Sequence, residues 1–324
     1  EGGTQIWVGE AARDFLGKGH EVTILTPQQG FNAKDGKEIE HEKFHLVTYD
    51  YEKDGEDPNQ AIWTEALRPC DVAVATIVYP RIYDREKKED NSTGFHVVTF
   101  AAKCISEADL KTVLIPKTGT FVPWFNPAWY KPEGVKSRCI TITAYTKNSI
   151  VEEFKIPEEH IEVLYQGTDI KRFTSSPENK AEGLKRYPAP PESWPVFVHI
   201  GTYDKRKNQD IILQAVDIVR KDYPKMFLHL VGKGETEEAM KKMAFDLRLQ
   251  SHVCFQPFTK EPNYVFEAAD AVLLASSVEG LPNVLLEGFA MEKACVSTIV
   301  GGTPEIVVEG KTGFLCQPRD VEGL

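Results

Sequence analysis

Over residues 4–18 apolar positions return every fourth residue, with Trp7, Ala11 and Phe15 aligned and Val8 and Ala12 beside them, which predicts an amphipathic helix. Gly19 closes it, and His20-Glu21-Val22-Thr23-Ile24-Leu25-Thr26 reads as the strand that follows. Asp71-Val72-Ala73-Val74-Ala75 and Val113-Leu114-Ile115 predict further short buried strands, and Ser137 to Thr143 reads as another strand. Between them, Phe95, Val98 and Ala102 suit a helix beginning near Gly94, and Tyr145 opens another that runs through Phe154. Strands alternating with helices predict an α/β fold, with a parallel sheet covered on both faces.

The pattern breaks at Thr174-Ser175-Ser176-Pro177 and Pro188-Ala189-Pro190-Pro191, a polar, proline-rich connection. It divides a first domain, residues 1–170, from a linker, 171–194, and a second domain, 195–324. The second domain restarts with the strand Val196-Phe197-Val198-His199-Ile200 and a helix presenting Ile211, Ile212, Ala215 and Val219 on one face. Strands follow at Phe227–Val231, before Gly232-Lys233-Gly234, and at Val253-Cys254-Phe255. The apolar run Ala271-Val272-Leu273-Leu274-Ala275 leads into Ser276-Ser277-Val278-Glu279-Gly280-Leu281-Pro282. Pro282 fits the first position of a helix, so Glu279 falls in a glycine turn and Glu287 in the second helical turn. A helix N-terminus offers unpaired N–H groups to a phosphate, and two carboxylates beside it accept hydrogen bonds from sugar hydroxyls. The pocket predicted here is one for a nucleotide sugar. Two solvated glutamates on an amphipathic helix are the bland alternative.

The length of 324 residues suits two domains with separate cores. No apolar run approaches the roughly 18 residues of a membrane span. The six cysteines, at 70, 104, 139, 254, 295 and 316, form no C-x-x-C pair and read as reduced core thiols in a cytoplasmic protein. Asn91-Ser92-Thr93 fits a glycosylation sequon, without meaning in a cytoplasmic protein, and serves equally well as the cap of a helix beginning near Gly94. Of the net charge of -11, residues 1–170 carry -9 (19 basic, 28 acidic) and residues 171–324 carry -2 (19 basic, 21 acidic). Such a balance opposes nucleic acid or an anionic bilayer as partner, and stable membrane association is not expected. The eight histidines show no ligand spacing and no D-x-D motif stands in a plausible context, so neither metal nor cofactor is expected.

The frame E-G-L-P-x-x-x-L-E from Glu279 to Glu287, with its flanking S-S and G-x-A-M residues, resembles the donor site of retaining glycosyltransferases of the GT-B type, family four. The resemblance extends to Gly301-Gly302-Thr303-Pro304-Glu305, to Gly313-Phe314, to Gly167-Thr168-Asp169, and to the opening helix and strand. It implies two Rossmann-like domains facing across a cleft, the nucleotide-sugar donor on the second and a carbohydrate or small-molecule acceptor on the first. It implies that Glu287 holds the ribose, and that Glu279 with the N–H groups of Gly280 and Leu281 holds the sugar and phosphates. Lys207 matches a phosphate-holding lysine; the arginine position is Thr202, and Arg206 is the replacement cation. Gly201, Gly232, Val253 and the Gly2-Gly3 pair complete the donor residues on the same resemblance. Where many relatives carry a histidine, this chain has Lys117 or Thr118, either acceptor contacts or exposed loop residues. Trp124, Trp129 and Tyr130 either stack on sugar or pack the loop they lie in. Against relatives, the first strand and terminal helices are expected to be missing from this sequence. The function implied is transfer of a hexose from a nucleotide-diphosphate sugar, uridine favoured and guanosine possible. A hydrolase or epimerase of sugar nucleotides, or a non-catalytic nucleotide or glycan binder, remains open.

Overall fold

A computed structural model describes residues 3–27, 39–49, 56–77, 83–84, 89–90 and 96–324. The chain forms two compact units, Glu1–Ile142 with Lys147–Leu164, and Thr143–Thr146 with Tyr165–Leu324. Gly2, Asn91-Ser92-Thr93, Gly94 and Phe95 lie outside the described residues.

In the first unit helix α1, Gly3–Gly17, is followed by two parallel strands, β1 (Val22–Pro27) and β2 (Phe44–Tyr49). Gly3 is therefore the first helical residue rather than a loop glycine. Among the described side chains of α1 the buried ones are Ala12 and Leu16, while Phe15 is 46% exposed and meets His20 edge to face. The apolar face thus lies one residue, about 100° of helix, from the one expected. Both registers carried apolar residues, so periodicity alone did not distinguish them. Helix α2 (Glu56–Leu67) leads into β3 (Val72–Ile77), followed by a short antiparallel pair, β4 (Tyr83–Asp84) and β5 (Glu89–Asp90). Helix α3 (Val97–Glu107) buries Val98, Phe100, Ala101, Cys104 and Ile105. Strands β6 (Val113–Thr118), β7 (Cys139–Thr141) and β8 (Ile161–Val163) extend a parallel sheet in the order β3-β6-β7-β8. Val72 and Val74 stay exposed, so β3 is only half buried, as befits the end strand of that sheet.

The segment expected as a linker holds helix α5 (Pro177–Arg186), which follows α4 (Ala144–Phe154) in the chain. Ser176 caps it by accepting from Asn179 N–H, and Pro177 fits its first turn. Gly183 of α5 lies so near helix α8 (Pro262–Glu267) that a Cβ would stand 2.6 Å from Tyr264 O. The second unit is one parallel sheet built from β9 (Val196–Ile200), β10 (Phe227–Val231), β11 (Val253–Gln256), β12 (Ala271–Leu274), β13 (Ala294–Thr298) and β14 (Gly313–Cys316). Across the sheet they run β11-β10-β9-β12-β13-β14. Side chains alternate between two cores: Phe227 and Val231 enter one, Leu228 and Leu230 the other, so all of β10 is buried. Helix α6 (Gln209–Val219) covers one face with Ile212 and Val216, and helix α9 (Asn283–Ala290) packs Val284 and Leu285 on the other.

Candidate functional site

In this strand order the two halves of the second sheet diverge from β9 and β12, which are neighbours although α6, β10, α7 (Glu237–Asp246), β11 and α8 lie between them in sequence. A crevice at the carboxyl ends of strands where the order reverses is the usual ligand seat of such sheets. The loops that leave β9 and β12 carry the sequence-predicted residues to that point. Lys207 Nζ donates to Glu279 Oε1 at 2.6 Å, with side chains only 15% and 12% exposed. Ser276 Oγ donates to the same oxygen at 2.7 Å. Ser277 N–H donates to Arg206 O at 2.7 Å, tying the two loops together.

Arg206 is paired as well. Its Nη2 donates to Asp204 Oδ2 at 2.8 Å and its backbone N–H to Oδ1 at 2.9 Å. Thr202 Oγ1 donates to Asp204 Oδ2 at 2.8 Å. Burial pushes the Asp204 carboxyl up, but these donors outweigh it and hold it below the ordinary carboxylate value. Beneath the loops lies His199, 1% exposed, hydrogen-bonded through Nδ1 to Leu273 O and through Nε2 to Gln209. Burial lowers its pKa to about 4, so it is neutral and supplies shape rather than charge. Asn208 turns the chain with φ 48° and donates to Ala275 O, fixing Lys207 just before it.

Four glycines close the backbone of the site. A Cβ at Gly232 would lie 1.9 Å from Gly201 O, and one at Gly234 2.3 Å from Tyr203 O, so the loops after β9 and β10 are pressed together. Gly301, with φ 53°, would place a Cβ 1.9 Å from Glu279 O, while Gly302 N–H donates to Gly280 O at 2.7 Å. The loop after β13 therefore supports the turn that holds Glu279 and Gly280. Leu281 is buried, Pro282 is the residue before α9 rather than its first, and Glu287 is half-buried one turn into the helix. Glu305, in helix α10 (Thr303–Ile306), accepts from Ala144 N–H, Tyr145 N–H and Tyr165 Oη.

Not every expected residue gathers here. Val253 opens β11, its N–H bonded to Leu249 O, at the opposite end of the strand from Gln256, whose carbonyl accepts from Gly232 N–H. Three residues of strand rise, about 10 Å, take it from the crevice. Lys117 and Thr118 are in the first unit. They end β6 rather than lying on a loop, and both are buried. Burial lowers the Lys117 pKa to about 8. Trp129 stacks on His96 at 3.7 Å and Tyr130 is fully buried, so both pack the loop; Trp124 is 44% exposed. The six cysteines are free thiols, half-buried or buried. Among the described residues no group of three or more His, Cys, Asp or Glu side chains is placed to hold a metal ion, and no helix is long and apolar enough to cross a membrane. Asp204 and His199 were not singled out in sequence. Ser276 lay in the same motif as its partner Glu279, whereas Glu305, in the Gly301–Glu305 motif, has partners more than a hundred residues away.

Residues 182–324 match the family model of glycosyl transferases group 1. A GDP-mannose-dependent alpha-(1-6)-phosphatidylinositol monomannoside mannosyltransferase of Mycolicibacterium smegmatis is 31% identical over 56% of this chain and 50% of its own length. An N-acetyl-alpha-D-glucosaminyl L-malate synthase of Bacillus anthracis is 27% identical over 58% of the chain and 49% of its own. The chain thus spans about half the length of these curated relatives. Among solved structures, a glycosyltransferase from Rickettsia africae superposes with a TM-score of 0.82 at 17% identity, over 100% of this chain and 83% of that one. Anabaena HepE in complex with UDP superposes with a TM-score of 0.78 at 18% identity, over 99% and 84%. At these identities the likeness is one of fold: parallel α/β units of the GT-B type.

Proposed function

We propose that this chain, whose residues 182–324 match the model of glycosyl transferases group 1, moves a hexose from a nucleotide-diphosphate sugar to an acceptor hydroxyl with retention of configuration. The observation that carries this reading is the meeting of Lys207 with Glu279, beside Arg206 and Gly280, on the loops that leave the neighbouring strands β9 and β12. Glu287 would hold the ribose hydroxyls. Glu279 and the N–H groups of Gly280 and Leu281 would hold the sugar and phosphates, with Gly201, Thr202 and Gly232 closing the pocket. Lys207 and Arg206 would stabilise the charge that develops on the departing diphosphate. An acceptor hydroxyl attacking from the face the diphosphate leaves, with a phosphate oxygen taking its proton, retains configuration without a covalent intermediate. Lys117 and Thr118 are the proposed acceptor contacts.

The donor is a uridine or guanosine sugar. Uridine diphosphate is the ligand named for HepE, and GDP-mannose the donor named for the mycobacterial relative. Because two side-chain cations serve the diphosphate, transfer is proposed to need no metal, and a chelator should leave the rate unchanged. The test is to incubate the protein with UDP-, GDP- and ADP-hexoses, with and without sugar acceptors, and follow nucleotide release and the anomeric configuration of the product. Release dependent on acceptor, with a retained anomer, supports the proposal. Release without acceptor identifies a hydrolase, and binding without release a non-catalytic module.

A further inference from the structure

Neither cation of the proposed donor site carries an uncompensated charge. Lys207 is matched by Glu279, and Arg206 by Asp204. Glu279 has a task of its own toward the sugar. Asp204 has none in the proposed transfer, yet its side chain is only 21% exposed and takes Thr202 Oγ1, Arg206 N–H and Arg206 Nη2. The resemblance puts a cation at position 202. Here a hydroxyl stands there and donates to Asp204, while the arginine at 206 is bound to that same carboxylate. A carboxylate held by a guanidinium and two further donors stays ionised at neutral pH. It therefore places a full negative charge beside the seat of another anion. With Arg206 44% exposed, water screens the effect, and what remains is worth a few-fold in affinity rather than many orders.

We infer that Asp204 is a counter-ion that sets the diphosphate affinity of this site, holding Arg206 back so that the nucleoside diphosphate is released after transfer. This rests on the reading of the crevice as a donor pocket. Asp204 acts through Arg206 and is a positioning residue, not a catalytic one. Asparagine at 204 keeps a carbonyl oxygen for the Arg206 N–H and loses the charge.

The experiment is calorimetric titration of uridine, guanosine and adenosine diphosphates into wild type, Asp204→Asn and Asp204→Glu, with donor KM and kcat for each. Asp204→Asn should bind the diphosphate about fivefold tighter and with a steeper salt dependence, lowering donor KM and kcat together, while Asp204→Glu stays near wild type. Asp204→Ser, a second neutral variant, answers the question should asparagine fail to fold. Neutral variants that bind no tighter than wild type overturn the inference and leave Asp204 as a brace of its turn. Wild type binding none of the three overturns the donor-pocket reading itself.

Discussion

Lys207 Nζ and Glu279 Oε1 meet at 2.6 Å across 72 residues of sequence. Each is mostly shielded from water, and each is the other's charge partner. Lys207→Met strands a carboxylate that keeps Ser276 Oγ as donor, and should cost about 2 kcal/mol of stability. Adding Glu279→Gln should restore part of it. A double-mutant cycle by urea unfolding should give a coupling of at least about 1 kcal/mol. Additive losses would mean that the pair contributes no stabilisation of its own.

Glu287→Ala removes a half-buried carboxylate from the second turn of α9 without opening a core cavity. The fold should survive with a thermal midpoint near wild type, while sugar transfer drops by about a hundredfold, the scale of a lost charged hydrogen bond or two in the transition state. Transfer within a few-fold of wild type would refute the role proposed for Glu287.

Gly232→Ala would press a methyl into Gly201 O, a backbone atom that cannot swing aside. A loss of about 2 kcal/mol or more is expected, with weaker diphosphate binding as the loops after β9 and β10 part. Gly167→Ala, with nothing within 4 Å of the added carbon, is the control and should be tolerated.

His229 makes the second unit sensitive to acid. It lies fully buried in β10 against Phe227 and Tyr187, and neither ring nitrogen has a hydrogen-bond partner among the described residues. Burial lowers its pKa to about 4, against roughly 6.5 in an unfolded chain. Above pH 6.5 the ring is neutral in both states and the linkage is silent. As pH falls from about 6.5 to 4 the unfolded chain takes up a proton that the folded chain refuses, and stability is lost at roughly 1.4 kcal/mol per pH unit. His199 adds a similar loss over the same window. His229→Phe should leave stability at pH 7.5 near wild type and remove about half of this histidine-linked loss, measured by urea unfolding at pH 7.5 and 5. An unchanged pH slope would show that His229 is solvated or paired in solution.

Much of the second unit was legible because its strands are short, apolar and punctuated by glycine. The helix face of α1 was not, because adjacent positions carried apolar residues in both registers. Lys117 read as a loop residue because Pro116 interrupts the apolar run and lysine is a poor strand marker, whereas pairing with β3 and β7 carries the strand through Thr118. Val253 was assigned by its motif neighbours. In the parallel sheet it is the carboxyl end of β11, at Gln256, that faces the crevice, and Val253 opens the strand at the far end.

The sequence by itself determined the order of strands and helices, the glycines that permit close backbone contact, and the residue types that suit a sugar nucleotide. These follow from periodicity, turn chemistry and motif spacing, all of which act within a few residues. Tertiary structure decided that Lys207 belongs to Glu279, and Arg206 to Asp204 rather than standing free. The first of those pairings exists because hydrogen bonding sets β12 beside β9 in the sheet, bringing together two loops whose charges could not be matched until the chain between them had folded.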